Sequence, residues 1–495
     1  MAESRSASVA ADEVSVPPDG AGAGAGAGTD PAIAGEASCA GGETATKTTT
    51  APGVWSGLRP LLLRLHFYAG ILVGPFLLVA AVTGLMYTAT PQLESVLYKH
   101  ELAVTPRGEA DSLASQVAAA RRAVPDGTVV SVSPGPGRTD STRVVFDKPG
   151  LPDGDTLTAF VDPYDTKVLG TLRTSGQWLP VRAWLDSLHR TLHLGDFGRN
   201  YSELAASWLW VEVLGGLALW LGAPRTRQRL RRVLLPRGGA KGRRRTLSWH
   251  GVVGLWASIG LLGLSATGMT WSQHAGASIG ALQDALGGST PAVSTAHPSG
   301  GHGTHATTGA KDVGIDAVAA AAHDAGLRGL LVITPPTASG SAYVVKENTR
   351  SWPERQDSVA VDPATGEVTA KLKFADYPVL AKLTRWGIDA HMGLLFGLAN
   401  QIALALLAVG LIAMVLWGYR MWWLRRPTRS GGPSFGRAPA RGAWRRIPGA
   451  VLAPAVVVIA VVGYFLPLFG LPLLAFLIVD LTVDAVRRRR LGAAA

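Results

Sequence analysis

The stretch that decides the fold is LHFYAGILVGPFLLVAAVTG, residues 65–84. It is apolar throughout, apart from the histidine at its mouth, His66. The chain writes the same phrase again as WHGVVGLWASIGLLGLSATG, residues 249–268. His66, Gly70, Leu77, Leu78, Thr83 and Gly84 match His250, Gly254, Leu261, Leu262, Thr267 and Gly268, each at an offset of 184 residues. A second match, SLHRTLHLGDFG against GIDAHMGLLFG, aligns His193 with His391 and Gly195 with Gly393. Such repetition at a fixed distance predicts an internal duplication.

Around these phrases lie four long apolar segments, at residues 61–90, 204–222, 249–272 and 394–417. Each is long enough to cross the ~30 Å hydrocarbon core as a helix. Two shorter apolar runs follow within residues 447–486, and Pro467 to Pro472 between them predicts a tight reversal. The expected fold is an α-helical polytopic membrane protein with a four-helix core and a C-terminal helical hairpin.

Of the 495 residues 47% are hydrophobic, and they are clumped as in a membrane protein, not dispersed around one soluble core. The net charge of +12 is gathered into runs such as residues 225–245, RMWWLRRPTR and the terminal RRRR from Arg487. Each run abuts an apolar helix. That placement reads as a positive-inside signal and contact with anionic lipid, and it argues against nucleic acid as partner. It sets residues 223–248, the linker 425–446, the tail 487–495 and both termini in the cytoplasm. The connections 91–203 and 273–393 then face outward. Residues 1–54, with the GAGAGAGAG run, predict a disordered tail without a cleavable leader. The lone cysteine, Cys39, excludes internal disulfides and a thiolate metal cluster.

The two outward connections resemble each other. LASQVAAARRAV precedes TLTAFVDPYDTKVLGTL, and GIDAVAAAAHDAG precedes SVAVDPATGEVTAKL. Each pattern predicts an amphipathic helix followed by alternating strands, with Asp162–Pro163 and Asp362–Pro363 starting a turn. Two small α+β modules are expected.

A single histidine at a helix end needs no explanation beyond the headgroup zone. Four in matched positions do. His66 with His250 lies at one membrane face, and His193 with His391 lies at the other. His189, one turn before His193, is an alternative ligand or, with Arg190, a partner for a propionate. His66, Gly70 and Gly74 share one helical face, which suits either a flat macrocycle or close helix packing. Neutral imidazoles on facing helices are suited to hold a six-coordinate b-type haem, and two layers carry electrons across the hydrocarbon. Zinc or copper is the rival cargo, but no carboxylate or thiol clusters with these rings. His100 and His274 have no matched partner. Glu212, in WLWVEVLGG, is an intramembrane carboxylate and so a functional candidate, set against a protonated acid bonded within the bundle. His297, His302 and His305 lie in a loop that reads as a flexible linker or a metal-gathering stretch. No phosphate-binding or dinucleotide fingerprint is present, so electrons must come from quinol or a separate cytoplasmic reductase.

Over about residues 55–427 the chain resembles the PepSY-associated transmembrane proteins, the iron-regulated membrane protein group. The resemblance rests on LHFYAG…TG, LHRTLHLG, WHGVVG…TG, DAHMG and the two VDP modules, which look like PepSY domains. It implies a bacterial plasma-membrane location and two b-type haems ligated from among His66, His193, His250 and His391, with His189 in reserve. It also implies ferric iron or ferric-siderophore as the outer-face substrate. A non-enzymatic alternative stands beside it: an accessory or sensor protein binding a peptide, protease or transporter, its histidines structural. A metal carrier using the His-rich loop is a third.

Overall fold

A computed structural model describes residues 54–222, 231–295, 312–337, 341–425 and 442–492. The tail with Cys39, the His297–His305 stretch, the start of the 225–245 loop and most of the 425–446 linker lie outside the described residues.

The first apolar segment, expected as one helix, is two. Helix α1 (Val54–Leu72) and α2 (Gly74–Tyr87) meet at a bend of 59°. Pro75 is the reason. Its ring has no N–H to give and clashes with the carbonyl four residues back, that of Ile71. The freed Ile71 carbonyl accepts the Tyr419 hydroxyl at 2.9 Å. The bend also removes Gly74 from the face shared by His66 and Gly70.

Short helices α3 (Thr90–Leu97) and α4 (Lys99–Leu102) lead to α5 (Leu113–Ala123) and to strands β1 (Thr128–Ser133), β2 (Thr142–Asp147), β3 (Asp155–Val161) and β4 (Val168–Ser175). Then come α6 (Pro180–Thr191) and the long α7 (Gly195–Leu221). The second half runs α8 (Arg231–Leu234), α9 (Gly242–Thr270), α10 (His274–Ala285) and α11 (Ile315–Asp324). It continues with β5 (Leu331–Thr334), β6 (Tyr343–Glu347), β7 (Ser358–Val361), β8 (Val368–Leu372), α12 (Val379–His391) and α13 (Gly397–Trp423). Among the described residues four helices (α7, α9, α13 and a C-terminal one) are long and apolar enough to cross a membrane, five spans if the bent pair counts as one.

The two expected modules are not separate. Their strands form one eight-stranded antiparallel sheet in the order β4-β3-β2-β1-β5-β6-β7-β8. The seam is β1 against β5, registered at Val132 and Ile333, both fully buried. Pairing the two inner edges removes a pair of unsatisfied strand edges that separate modules would leave open. Both VDP turns form as expected: Asp162 Oδ1 accepts from Tyr164 N, and Asp362 Oδ1 from Ala364 N. Helix α5 packs on Val144, Phe146 and Val161, and α11 on Val345, Val359 and Val361. Asp316 on α11 accepts the Leu113 and Ala114 amides, so one helix caps the other across the seam. Because strand side chains alternate, Arg143 and Val145 point to the other face, toward α3, α4 and α6.

Trp208, Leu261, Leu77, Met414 and Phe469 meet in the bundle core. The outward faces stay apolar and open, with Ile259 85% and Leu406 68% exposed, as lipid-facing helices require. Phe469 comes from the C-terminal hairpin of α14 (Gly449–Phe465) and α15 (Pro467–Gly492). The reversal is at Leu466 and not across Pro467–Pro472; Pro467 starts α15, where a missing N–H costs nothing, and Pro472 lies within that helix. The hairpin is docked by an Arg64–Asp480 ion pair and by Trp208 Nε1 donating to the Leu468 carbonyl at 3.1 Å.

Truncating the seam tests the single sheet. Ile333→Ala is expected to lower stability by about 2–5 kcal/mol, read as a lower denaturant midpoint of the full chain in detergent.

Candidate functional site

The structure brings four histidines together as two facing pairs. His66 on α1 faces His250 on α9, with ring centroids 6.2 Å apart and planes at 76°. His189 on α6 faces His391 on α12, with centroids 6.4 Å apart and planes at 59°. Seventeen residues of α9 separate His250 from Thr267, which touches the second pair, so the pairs lie about 25 Å apart along that helix.

Each ring has one nitrogen held by a neighbouring helix. The Thr83 hydroxyl lies 2.9 Å from His189 Nδ1, and the Thr267 hydroxyl 2.6 Å from His391 Nδ1. Each threonine gives its one proton to a carbonyl four residues back, Val79 at 2.9 Å and Gly263 at 2.8 Å. With its proton on that carbonyl, the hydroxyl accepts from the ring; the opposite tautomer would reverse the bond. His250 Nδ1 lies 3.0 Å from the Met414 carbonyl, also an acceptor. His66 Nδ1 lies 2.8 Å from Glu212 Oε2, within ion-pair distance though outside hydrogen-bond angles. Every Nδ1 therefore faces an oxygen, which suits the tautomer protonated there. Among the described residues the hydrogen bonds to these rings are made at Nδ1, which leaves each Nε2 its lone pair when Nδ1 carries the proton. Burial, with His189 adding to it, pushes His391 down to about 3, and burial lowers His189 too. Both rings are neutral at pH 7.

The arrangement repeats across the two halves. Thr83 and Thr267 are 184 residues apart. Glu212 and Met414 are 202 apart, as are His189 and His391, and as are Gly195 and Gly397, which open α7 and α13 at a φ of +56° each. That register explains why His193 is not in a pair. Helix α6 ends at Thr191, Leu192 turns left-handed, and His193 emerges exposed against Trp184 at 4.8 Å. The alignment that matched Gly195 to Gly393 is one helical turn out. His189 takes the place expected of His193.

The glycines have different neighbours from those the spacing suggested. Gly70 faces Glu212 and Gly254 faces Met414. The rings lie closest to other glycines: a Cβ on Gly84 would come within 3.2 Å of the His189 ring, and one on Gly216 within 3.2 Å of the His66 ring. Glu212 contacts His66, while its Oε1 is buried without a hydrogen-bond partner. His100 is exposed, and His274 bonds Asn200; neither joins a pair.

Beside the second pair is a cavity of about 220 Å³, lined by His189, His391, Tyr87, Arg190, Arg199 and Glu203 among others. Arg190 is held by Asp186 at 3.2 Å. Glu203, which the sequence reading passed over, accepts the amides of Gln273, His274 and Ala275 at 2.8–3.0 Å. A carboxylate at the start of α10 satisfies donors that no helix residue can. Its only signal in the sequence is a charge inside the apolar run SELAASWLW.

Helix α12 is fixed by fully buried Asp389, two residues before His391. It accepts Arg350 Nε at 2.7 Å and pairs with Arg385 Nε at 3.2 Å, while Arg385 Nε also reaches Glu354 at 2.8 Å. Asp389→Ala leaves the partly buried Arg350 guanidinium without its carboxylate and Arg385 with Glu354 alone. It is expected to cost about 3–5 kcal/mol, seen as a lower unfolding midpoint than that of wild type in the same detergent.

A search of curated proteins gives no match to this chain. The family model for the PepSY-associated TM region matches residues 63–425, well over half of the 495. That span holds all four paired histidines and the whole sheet. The chain belongs to the PepSY-associated transmembrane family and is a multi-pass membrane protein.

Proposed function

We propose that this protein is a membrane b-type haem protein that passes electrons across the bilayer to reduce ferric iron or ferric-siderophore. The observation that carries the reading is the pair of facing imidazoles, made twice, each ring with Nδ1 beside an oxygen and Nε2 left its lone pair. Metal-binding histidines characteristically donate their other N–H to an oxygen acceptor. With a metal–nitrogen bond of about 2 Å on each side and the ring's own radius behind each nitrogen, two rings on opposite sides of one ion stand about 6 Å apart. The observed centroids, at 6.2 and 6.4 Å, fit that spacing. Among the described residues no group of three His, Cys, Asp or Glu side chains is placed to hold a metal ion, although Glu212 stands beside His66. Each site thus offers two protein ligands, which suits an ion that brings its other four in a macrocycle.

When bound, haem supplies a one-electron ferric/ferrous couple. The chain's own residues do the rest. His66 and His250 would hold one iron, and His189 and His391 the other. Arg190 and Arg199, at the cavity wall, offer cations to the propionates. The apolar helices keep water from both sites. We infer that the chain is an internal duplication whose sheet, built from two PepSY-like modules, faces outward and receives the acceptor. The termini are then cytoplasmic, where quinol or a soluble reductase delivers electrons.

The full chain, purified in detergent from haem-replete cells, is expected to show a reduced b-type spectrum and about two haems per chain by pyridine haemochrome. His66→Ala and His391→Ala each remove one; His193→Ala removes neither. A colourless wild-type preparation overturns the proposal and leaves the accessory or sensor role.

A further inference from the structure

A second cavity, of about 280 Å³, lies between the sheet and the helices below it. Arg143, Arg182, Glu94, Gln177, Trp178 and Leu179 line it. Two of its three charges are spent on each other. Arg182 Nε lies 3.1 Å from both oxygens of Glu94, and its Nη2 lies 2.7 Å from one of them. The Arg182 guanidinium also covers Trp178 at 4.9 Å.

Arg143 is different. It stands on β2 opposite Phe160 of β3, with its guanidinium 5.9 Å from that ring. It makes no hydrogen bond or ion pair with any described residue. Burial lowers its pKa from the usual arginine value, with Glu94 and Asp140 acting against the shift from a distance. A guanidinium keeps its charge even so, with five donors in a fixed fork. A partly desolvated cation without a partner is a cost to the fold unless something else meets it.

We propose that this cavity binds a small carboxylate-bearing ligand and that Arg143 is its anchor. Arg143 and Arg182 against Glu94 leave one net positive charge, which matches a monoanion. The guanidinium fork matches the two oxygens of a carboxylate. Leu102, Leu179 and Pro91 supply apolar walls for the organic part. The place is also telling, since sites favour the junction of two layers. Arg182 is seven residues before His189 on α6, two turns or about 10 Å along the axis. If the proposed electron transfer holds, a ligand here sits within reach of the sheet-side pair; binding itself does not depend on that reading.

The test uses the full chain in detergent, with benzoate as probe and benzamide as its uncharged counterpart, followed by calorimetry. Wild type is expected to bind benzoate saturably at one site, at least tenfold more tightly than benzamide. R143Q loses at least tenfold in benzoate affinity, and R143K recovers part of it. R143Q should also unfold no earlier than wild type, since it removes a cation without a partner. Absence of saturable benzoate binding, equal binding by R143Q, or equal binding of benzamide overturns the proposal. So does a lowered unfolding midpoint for R143Q, because the guanidinium would then be holding the fold together.

Discussion

A buried imidazole needs an acceptor for its N–H, and four rings here each have Nδ1 beside an oxygen, three within hydrogen-bond geometry and His66 at ion-pair distance from Glu212. In each case the acceptor comes from a helix other than the histidine's own. Thr83 on α2 meets His189 on α6, and Thr267 on α9 meets His391 on α12. Met414 on α13 meets His250 on α9, and Glu212 on α7 meets His66 on α1. The contacts therefore set both ring tautomer and helix position. At Thr83–Gly84 the hydroxyl meets the His189 ring and the missing Cβ makes room for it, whereas a Cβ on Gly268 would stand 3.9 Å from the His391 ring, an ordinary contact.

Bundle and sheet are joined by charge, not by apolar packing alone. Arg182 binds Glu94, and Arg350 and Arg385 converge on Asp389 and Glu354. Trp178 lies 4.9 Å from the guanidiniums of both Arg182 and Arg350. Buried pairs of this kind add little net stability but strongly disfavour any arrangement that separates them. They tie α6 to α3 and α12 to the β6–β7 connection, and so hold the histidines those helices carry. The same belt leaves Arg143 without a hydrogen bond or ion pair among the described residues, its guanidinium over Phe160 alone.

Much of the site was legible. The 184-residue offset pointed to His66 and His250 as a pair, and they face each other. The second pair was read one turn out, because LHRTLHLG offers two histidines four residues apart and Gly195 aligned with the nearer glycine, Gly393. Only the left-handed turn at Leu192 shows that His193 leaves the helix. The bend at Pro75 was signalled by proline itself, but not its repair by Tyr419, 344 residues away along the chain. Glu203 and Asp389 were passed over because one carboxylate in an apolar run does not announce which amides or guanidiniums it will meet.

Sequence alone determined the spanning helices, the repeated histidine phrases, the strand patterns and the turns, since each depends on local periodicity and on the chemistry of neighbouring residues. Tertiary structure decided which histidines face one another, that both sets of strands close into one sheet at Val132 and Ile333, and that the C-terminal hairpin completes the bundle core through Phe469. Those outcomes rest on contacts between segments far apart in the chain. Their energy depends on which buried donors find acceptors in space, and residue spacing along one segment carries no record of that.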